Sequence, residues 1–316
     1  MKSCNGIIGL AIGDAMGVPI EFVSRKELEQ NPVTKMLEYG SHKVPKGCWS
    51  DDTSMTLATI DSIIKKKKID TDDMADRFLE WFKNAEYTAT NDIFDIGRTT
   101  LQSLARYELK LDDASNCGDD NEYSNGNGSL MRILPLAYYC FSKNLNNNEI
   151  IEIVSRVSSI THKNQVSILG CYIYVQFAME LLKVKDLKKC YYKIKELDYT
   201  YFSKEVVNRY ERILKNNITE YKLEEIKSTG YIVDTLEATL WVLLNTKSYN
   251  EAIIKAINLG EDTDTIGACT GGLAGIYYGI DNIKNEWKEN LLKYEYIIEL
   301  CNKLDEILKK NNILYL

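Results

Sequence analysis

Gly260-Glu261-Asp262-Thr263-Asp264-Thr265 runs directly into Ile266-Gly267-Ala268-Cys269-Thr270-Gly271-Gly272, a stretch of small residues with neither charge nor proline. The second part reads as a tightly packed helix, and the first puts two aspartates and two threonine hydroxyls at its mouth. Near the other end of the chain, Trp49-Ser50-Asp51-Asp52-Thr53 repeats the arrangement before the helical spacing of Met55, Ala58, Ile60, Ile63 and Ile64. Neither stretch contains a lysine or an arginine. Taken singly, each is explained by helix capping, because Ser and Asp satisfy the free N–H groups of a first turn and acidic residues suit its dipole. Taken together they put four carboxylates in one pocket, if the stretches meet. Such a cluster would repel itself unless cations lay among the oxygens. The pair therefore predicts a site for two divalent metals built from both ends of the chain. Side-chain oxygens without thiols or imidazoles point to Mg2+ or Mn2+, with Ca2+ a further option, and not to zinc.

The rest of the sequence supports an all-α fold. All four prolines (Pro19, Pro32, Pro45, Pro135) lie in the first 135 of 316 residues, so the remainder is free of helix breakers. Apolar residues recur at helical intervals at Phe78, Leu79 and Phe82, at Leu236, Leu240, Leu243 and Leu244, and from Leu291 and Leu292 through Ile297 and Leu304 to Ile307. No alternating strand or hairpin signal is evident. Loops are expected at residues 23–45, 112–128 and 143–148, where Asn, Asp, Gly and Ser gather. A site shared by residues near 50 and near 264 implies one domain over residues 1–316, wrapped from both termini. Glycines 6, 9, 13 and 17 would let the first helix approach a second small face at Gly267, Gly271 and Gly275.

Composition narrows the function. A net charge of -7 argues against a nucleic-acid partner held by bulk electrostatics, and Lys65 to Lys68 reads as a helix C-terminus complementing its dipole. The eight cysteines are scattered without a CxxC pair, which suggests reduced, buried thiols. With no signal-peptide core at the N-terminus and no apolar run of membrane-spanning length recognised, a cytoplasmic protein without membrane contact is expected.

Several further residues are candidates for ligand contact. Glu21, in a turn-prone segment, is a surface carboxylate or an acid or base beside the cations. Asp95, before Ile96 and Gly97, caps a helix or bonds a sugar hydroxyl. Asn127, Gly128 and Ser129 belong to a glycine-rich loop whose exposed amides could hold a diphosphate or ribose, although plain turn chemistry explains it equally. His162 is a structural histidine or a contact to a base or ribose.

In order, GLAIGDAMGVPIEF, WSDDTSMTLA, FDIGRTT, SNGNGSLMRILPLA, ITH and GEDTDTIGACTGGLAG resemble the ADP-ribosylglycohydrolases. The matches run from Gly6 to Gly275. That resemblance implies a compact, orthogonal all-helical bundle with a dinuclear Mg2+ or Mn2+ site in a surface cleft, and removal of ADP-ribose from modified protein side chains. It implies Ser50, Asp51, Asp52, Asp262, Asp264 and Thr265 as metal ligands, Glu21, Asp52 and Asp264 as catalytic residues, and Glu21, Asp95, Gly97, Asn127, Gly128, Ser129 and His162 around the ADP-ribose. Ser50 stands where many members have Thr, and Arg98 stands where Asn is common. The expected partner is an ADP-ribosylated protein or an ADP-ribosyl small molecule, and the expected state is a monomer. Rival readings keep the pocket but change its use: hydrolysis of a small conjugate such as O-acetyl-ADP-ribose, a non-catalytic ADP-ribose binder, an immunity protein that blocks a transferase, or a structural, crystallin-like role.

Overall fold

The computed structural model describes residues 2–313 of the chain. Among these, no strand forms, and the only ladder pairings are three isolated bridges. The helices are α1 (Ser3–Gly17), α2 (Arg25–Gln30), α3 (Asp51–Lys66), α4 (Thr71–Asn84), α5 (Arg98–Glu108), α6 (Leu134–Lys143), α7 (Asn147–Ser158) and α8 (Gln165–Lys183). They continue with α9 (Leu187–Lys195), α10 (Lys204–Arg209), α11 (Glu211–Leu214), α12 (Ile232–Leu244), α13 (Tyr249–Ile257), α14 (Thr263–Tyr278), α15 (Asn285–Asn290) and α16 (Tyr294–Ile313).

The centre of the fold is the pair α1 and α14, one from each end of the chain. A Cβ on Gly9 or Gly13 would run into the carbonyl oxygen of Gly271 or Gly267, so these glycines are what lets two backbones touch. Thr263 Oγ1 then donates to the Gly17 carbonyl at 2.8 Å, pinning the end of α1 to the start of α14. The two helix ends that flank the acidic loops are thus held together by sequence-distant small residues. Helices α12, α13 and α16 pack around this pair, and α3, α6 and α8 complete the same hydrophobic core.

Two helices, Ser3–Ile20 and Gln165–Lys183, are long and apolar enough on composition to cross a membrane, which corrects the expectation that no such run exists. They are 89% and 83% buried inside the protein, and a helix apolar on all sides is what the middle of a large core requires.

Local expectations fare unevenly. The lysine run does close α3, with Lys65 and Lys66 in its last turn and Lys67 left-handed at its cap. Lys66 and Lys68 also pair with Asp73 and Asp70 at 3.6 and 3.3 Å. The expected loop at 23–45 contains α2, started by a Ser24 and Glu27 capping box. The loop at 143–148 shrinks to Asn144–Asn146, because Asn146 caps α7 with Glu149 as its reciprocal partner. Leu291 and Leu292 are not helical: the Leu292 N–H donates to the Gly47 carbonyl at 3.1 Å, and the apolar rhythm restarts only at α16.

Candidate active site

The two acidic stretches meet. Ser50 caps α3, its Oγ accepting from the Asp52 N–H at 3.3 Å, which places Asp51 and Asp52 in the first turn. Asp262 occupies the cap position of α14 but makes no side-chain capping bond; its carboxylate instead accepts from Asn127 Nδ2 at 2.8 Å. Capping therefore explains Ser50 and does not explain Asp262. Across the junction, Thr265 Oγ1 donates to Asp52 Oδ1 at 3.4 Å. Asp262, Asp264 and Glu21 each present an oxygen within 4.8 Å of the others.

These carboxylates are almost sealed from solvent, with Asp51, Asp52, Asp264 and Glu21 at 5%, 1%, 1% and 5% exposure. Burial, reinforced by repulsion among neighbours, pushes Asp51, Asp52 and Asp264 well above the usual carboxylate range and raises Asp262 as well. Asp52 Oδ2 and both oxygens of Asp264 have no hydrogen-bond partner although they are buried. Buried polar atoms without partners are rare in folded proteins and call for an explanation. A hard divalent cation fits this donor set of carboxylate and hydroxyl oxygens. Of the residues expected as ligands, Asp262 and Asp264 converge with Glu21 on one point, and the unpartnered oxygens are those of Asp52 and Asp264.

Beside the cluster opens a cleft of about 290 Å³. Of the candidate residues, Glu21, Asp51, Asp52, Asp95, Gly97, Asn127, Gly128, His162, Asp262 and Thr265 line it. Ser50 and Asp264 are buried and not part of its lining. Ser129 is also fully buried: its Oγ lies 3.3 Å from Cys171 Sγ and 2.9 Å from Ser158 Oγ, so the structure does not bring that hydroxyl to the cleft. Gly97, not Asp95, is the cap of α5, and Asp95 holds a left-handed backbone (φ 57°) outside the helix. Strained positions of this kind concentrate at functional sites. Arg98, Thr100, Tyr123, Gly126, Met131 and Gly230 also line the cleft. No residue of the segment 183–227 does.

Two important residues escaped the sequence reading. Asp14, fully buried on α1, accepts from the Ser50 N–H at 3.0 Å and from the N–H and hydroxyl of Thr53 at 3.0 and 2.6 Å. It ties the acidic end of α3 to α1, and burial raises it to about 6. His42 is the second. Its Nε2 contacts Glu21 Oε2, while Ser41 Oγ donates to the Glu21 carbonyl at 2.6 Å. Burial pushes Glu21 up to about 7, and the contact with Glu21 raises His42. The Phe94 ring packs against His42 at a tilt of 40°, with ring centres 4.9 Å apart.

Fold and site together define an all-α protein with a deep acidic cleft made from both ends of its chain. The family model for ADP-ribosylglycohydrolase matches residues 2–312. The chain is 33% identical over 306 residues to the ADP-ribosylarginine hydrolase Tri1 of Serratia proteamaculans (strain 568), covering 96% of this chain and 78% of that protein. It is 28% identical over 319 residues to the ADP-ribosyl-[dinitrogen reductase] glycohydrolase of Rhodospirillum rubrum, covering 97% and 95% of the two chains. A solved structure of an ADP-ribosylglycohydrolase-related protein complex matches with a TM-score of 0.80 at 27% identity, over 97% of each chain. The chain belongs to the ADP-ribosylglycohydrolase family, and it is an enzyme of the glycosidic-bond hydrolase class.

Proposed function

We propose that the enzyme removes ADP-ribose from modified arginine side chains of proteins, using two divalent cations, Mg2+ or Mn2+, held by Ser50, Asp51, Asp52, Asp262, Asp264 and Thr265. The observation that carries this reading is the set of buried, unpartnered oxygens of Asp52 and Asp264, with Asp264 grouped with Glu21 and Asp262 within 4.8 Å. Bound there, the cations would supply positive charge to polarise the ribose hydroxyls and a water and to steady an oxocarbenium-like transition state. Glu21 accepts the proton of the attacking water as its oxygen bonds to the anomeric carbon and the bond to the side-chain nitrogen breaks. A carboxylate raised to about 7 suits that role, because a general base works best with a pKa near the operating pH. His42 and Ser41 hold Glu21 at its side chain and its carbonyl, so the base faces the cleft in one orientation. The C–N electron pair passes to the guanidine nitrogen; the linked guanidinium is already protonated, so it departs as neutral guanidine and then takes up the proton held by Glu21.

Arginine as the linked residue is supported by the cleft itself. Glu21 and Asp95, which approach each other beside His42, both line it and give it an anionic wall suited to a cationic guanidinium. Both relatives named above are hydrolases of protein-linked or arginine-linked ADP-ribose by name, which agrees. The eight free cysteines, seven of them buried, fit a reducing, cytoplasmic compartment. The test is release of free ADP-ribose from arginine-modified protein, serine-modified protein and O-acetyl-ADP-ribose. Fastest release from the arginine linkage is expected. Preference for the serine linkage or the acetyl conjugate would overturn the linkage assignment.

A further inference from the structure

Through Thr161, the cleft residue His162 is linked to a buried charge that the hydrolytic machinery does not use. Arg132 is 0% exposed, and its Nε and Nη1 have no hydrogen-bond partner. Its guanidinium lies 4.6 Å over the Phe78 ring, and its Nη2 donates to the Val157 carbonyl at 3.3 Å and to Thr161 Oγ1 at 2.8 Å. Thr161 Oγ1 in turn sits 2.8 Å from His162 Nδ1. The His162 backbone is fixed on both sides, its N–H donating to the Ser158 carbonyl and its carbonyl accepting from Ser158 Oγ, each at 2.8 Å.

This chain of contacts has a direction. A guanidinium can only donate, so Thr161 Oγ1 is the acceptor of the first link. The threonine hydroxyl has one proton of its own, and His162 Nδ1 is the acceptor within its reach. An Nδ1 that accepts leaves the ring proton of the neutral imidazole on Nε2. That edge faces the glycine loop of the cleft: a Cβ added at Gly126 or Gly128 would lie 3.6 or 3.4 Å from Nε2. Among the described residues Nε2 has no hydrogen-bond partner, and His162 lines the cleft.

We propose that Arg132 and Thr161 are positioning residues that hold His162 as an Nε2–H donor toward a phosphoryl or ribose oxygen of the bound nucleotide. This rests on the glycohydrolase reading for the identity of the ligand, though not for the tautomer. The opposite tautomer would make Thr161 accept from both neighbours and strand its own proton, and would turn a lone pair toward the ligand oxygen. Burial and the nearby Arg132 push His162 down to about 3, so the ring stays neutral and the tautomer, not the charge, is what the relay sets.

Because His42 and His162 are the only histidines, nitrogen-15 spectra of the imidazole rings read the tautomer directly, with His162 assigned by its loss in His162→Gln. The wild-type ring is expected to carry its proton on Nε2. Thr161→Val, nearly equal in shape, is expected to mix the two tautomers and to raise the Kd for ADP-ribose by about tenfold, the size of one well-placed hydrogen bond. Thr161→Ser is expected to restore both. A wild-type ring protonated on Nδ1, or a Thr161→Val protein whose tautomer or Kd stays at the wild-type value, overturns the proposal. Failure of the wild-type enzyme to bind ADP-ribose would count against the glycohydrolase reading, while the ring tautomer would still decide the relay.

Discussion

Glu21→Gln is expected to lower kcat by about 10²–10⁴-fold with little change in KM, the range spanned by loss of a positioned general base. Glutamine keeps the size and the polar contact to His42 but cannot take a proton from water. Since Glu21 is 5% exposed and fixed through Ser41 and His42, the substitution should leave its surroundings in place. Steady-state kinetics on an ADP-ribosylated protein decide the point. A kcat within about tenfold of wild type would assign the water's proton to another group. A rise in KM with kcat unchanged would make Glu21 a binding residue only.

The second large effect is on stability, and its sign follows from the raised carboxylates. A carboxyl whose pKa is higher in the folded protein than in the unfolded chain binds more protons when folded, so stability falls as pH rises between the two values. For Glu21 that window runs from the ordinary 4.5 to about 7, and for Asp14 from 3.8 to about 6. Asp51, Asp52, Asp262 and Asp264 are shifted in the same direction. The metal-free protein is therefore expected to carry a penalty at pH 8 that is absent near pH 4. Binding cations keeps the cluster ionised and removes the penalty. The rise in Tm caused by Mg2+ or Mn2+ should thus be larger at pH 8 than at pH 5. At 100 times the dissociation constant a single site adds about 2.7 kcal/mol. A Tm increment that is equal at both pH values, or missing at both, would contradict this account of the cluster.

Much of the site is legible in the sequence because its two halves carry the same local pattern, acidic and hydroxyl residues before a helix, and because the glycines of α1 and α14 announce the close contact that joins them. What stays hidden depends on long-range packing. His42 is twenty-one residues from Glu21 in a segment that reads as plain loop, and it arrives there because the turn at Gly40, at φ +49°, packs against Pro19 where a Cβ would strike the proline carbonyl. Asp14 sits inside an otherwise apolar helix, and nothing local tells that its carboxylate receives the backbone of α3. Ser129 shows the opposite failure: a hydroxyl in a polar, glycine-rich loop looks available, yet the following turn carries it under the cleft to Ser158 and Cys171. The membrane-length apolarity of α1 and α8 likewise has meaning only once their neighbours are in place.

The claim on which the rest depends is that carboxylates from both ends of the chain form a divalent-cation site. Calorimetric titration of Mn2+ into metal-stripped wild-type protein and into Asp264→Asn tests it without any assumption about substrate. The account predicts saturable binding by the wild type and an affinity at least about tenfold weaker in Asp264→Asn, since even outer-shell substitutions at metal sites cost 10–100-fold. No saturable binding by the wild type, or the same affinity in both proteins, would contradict it.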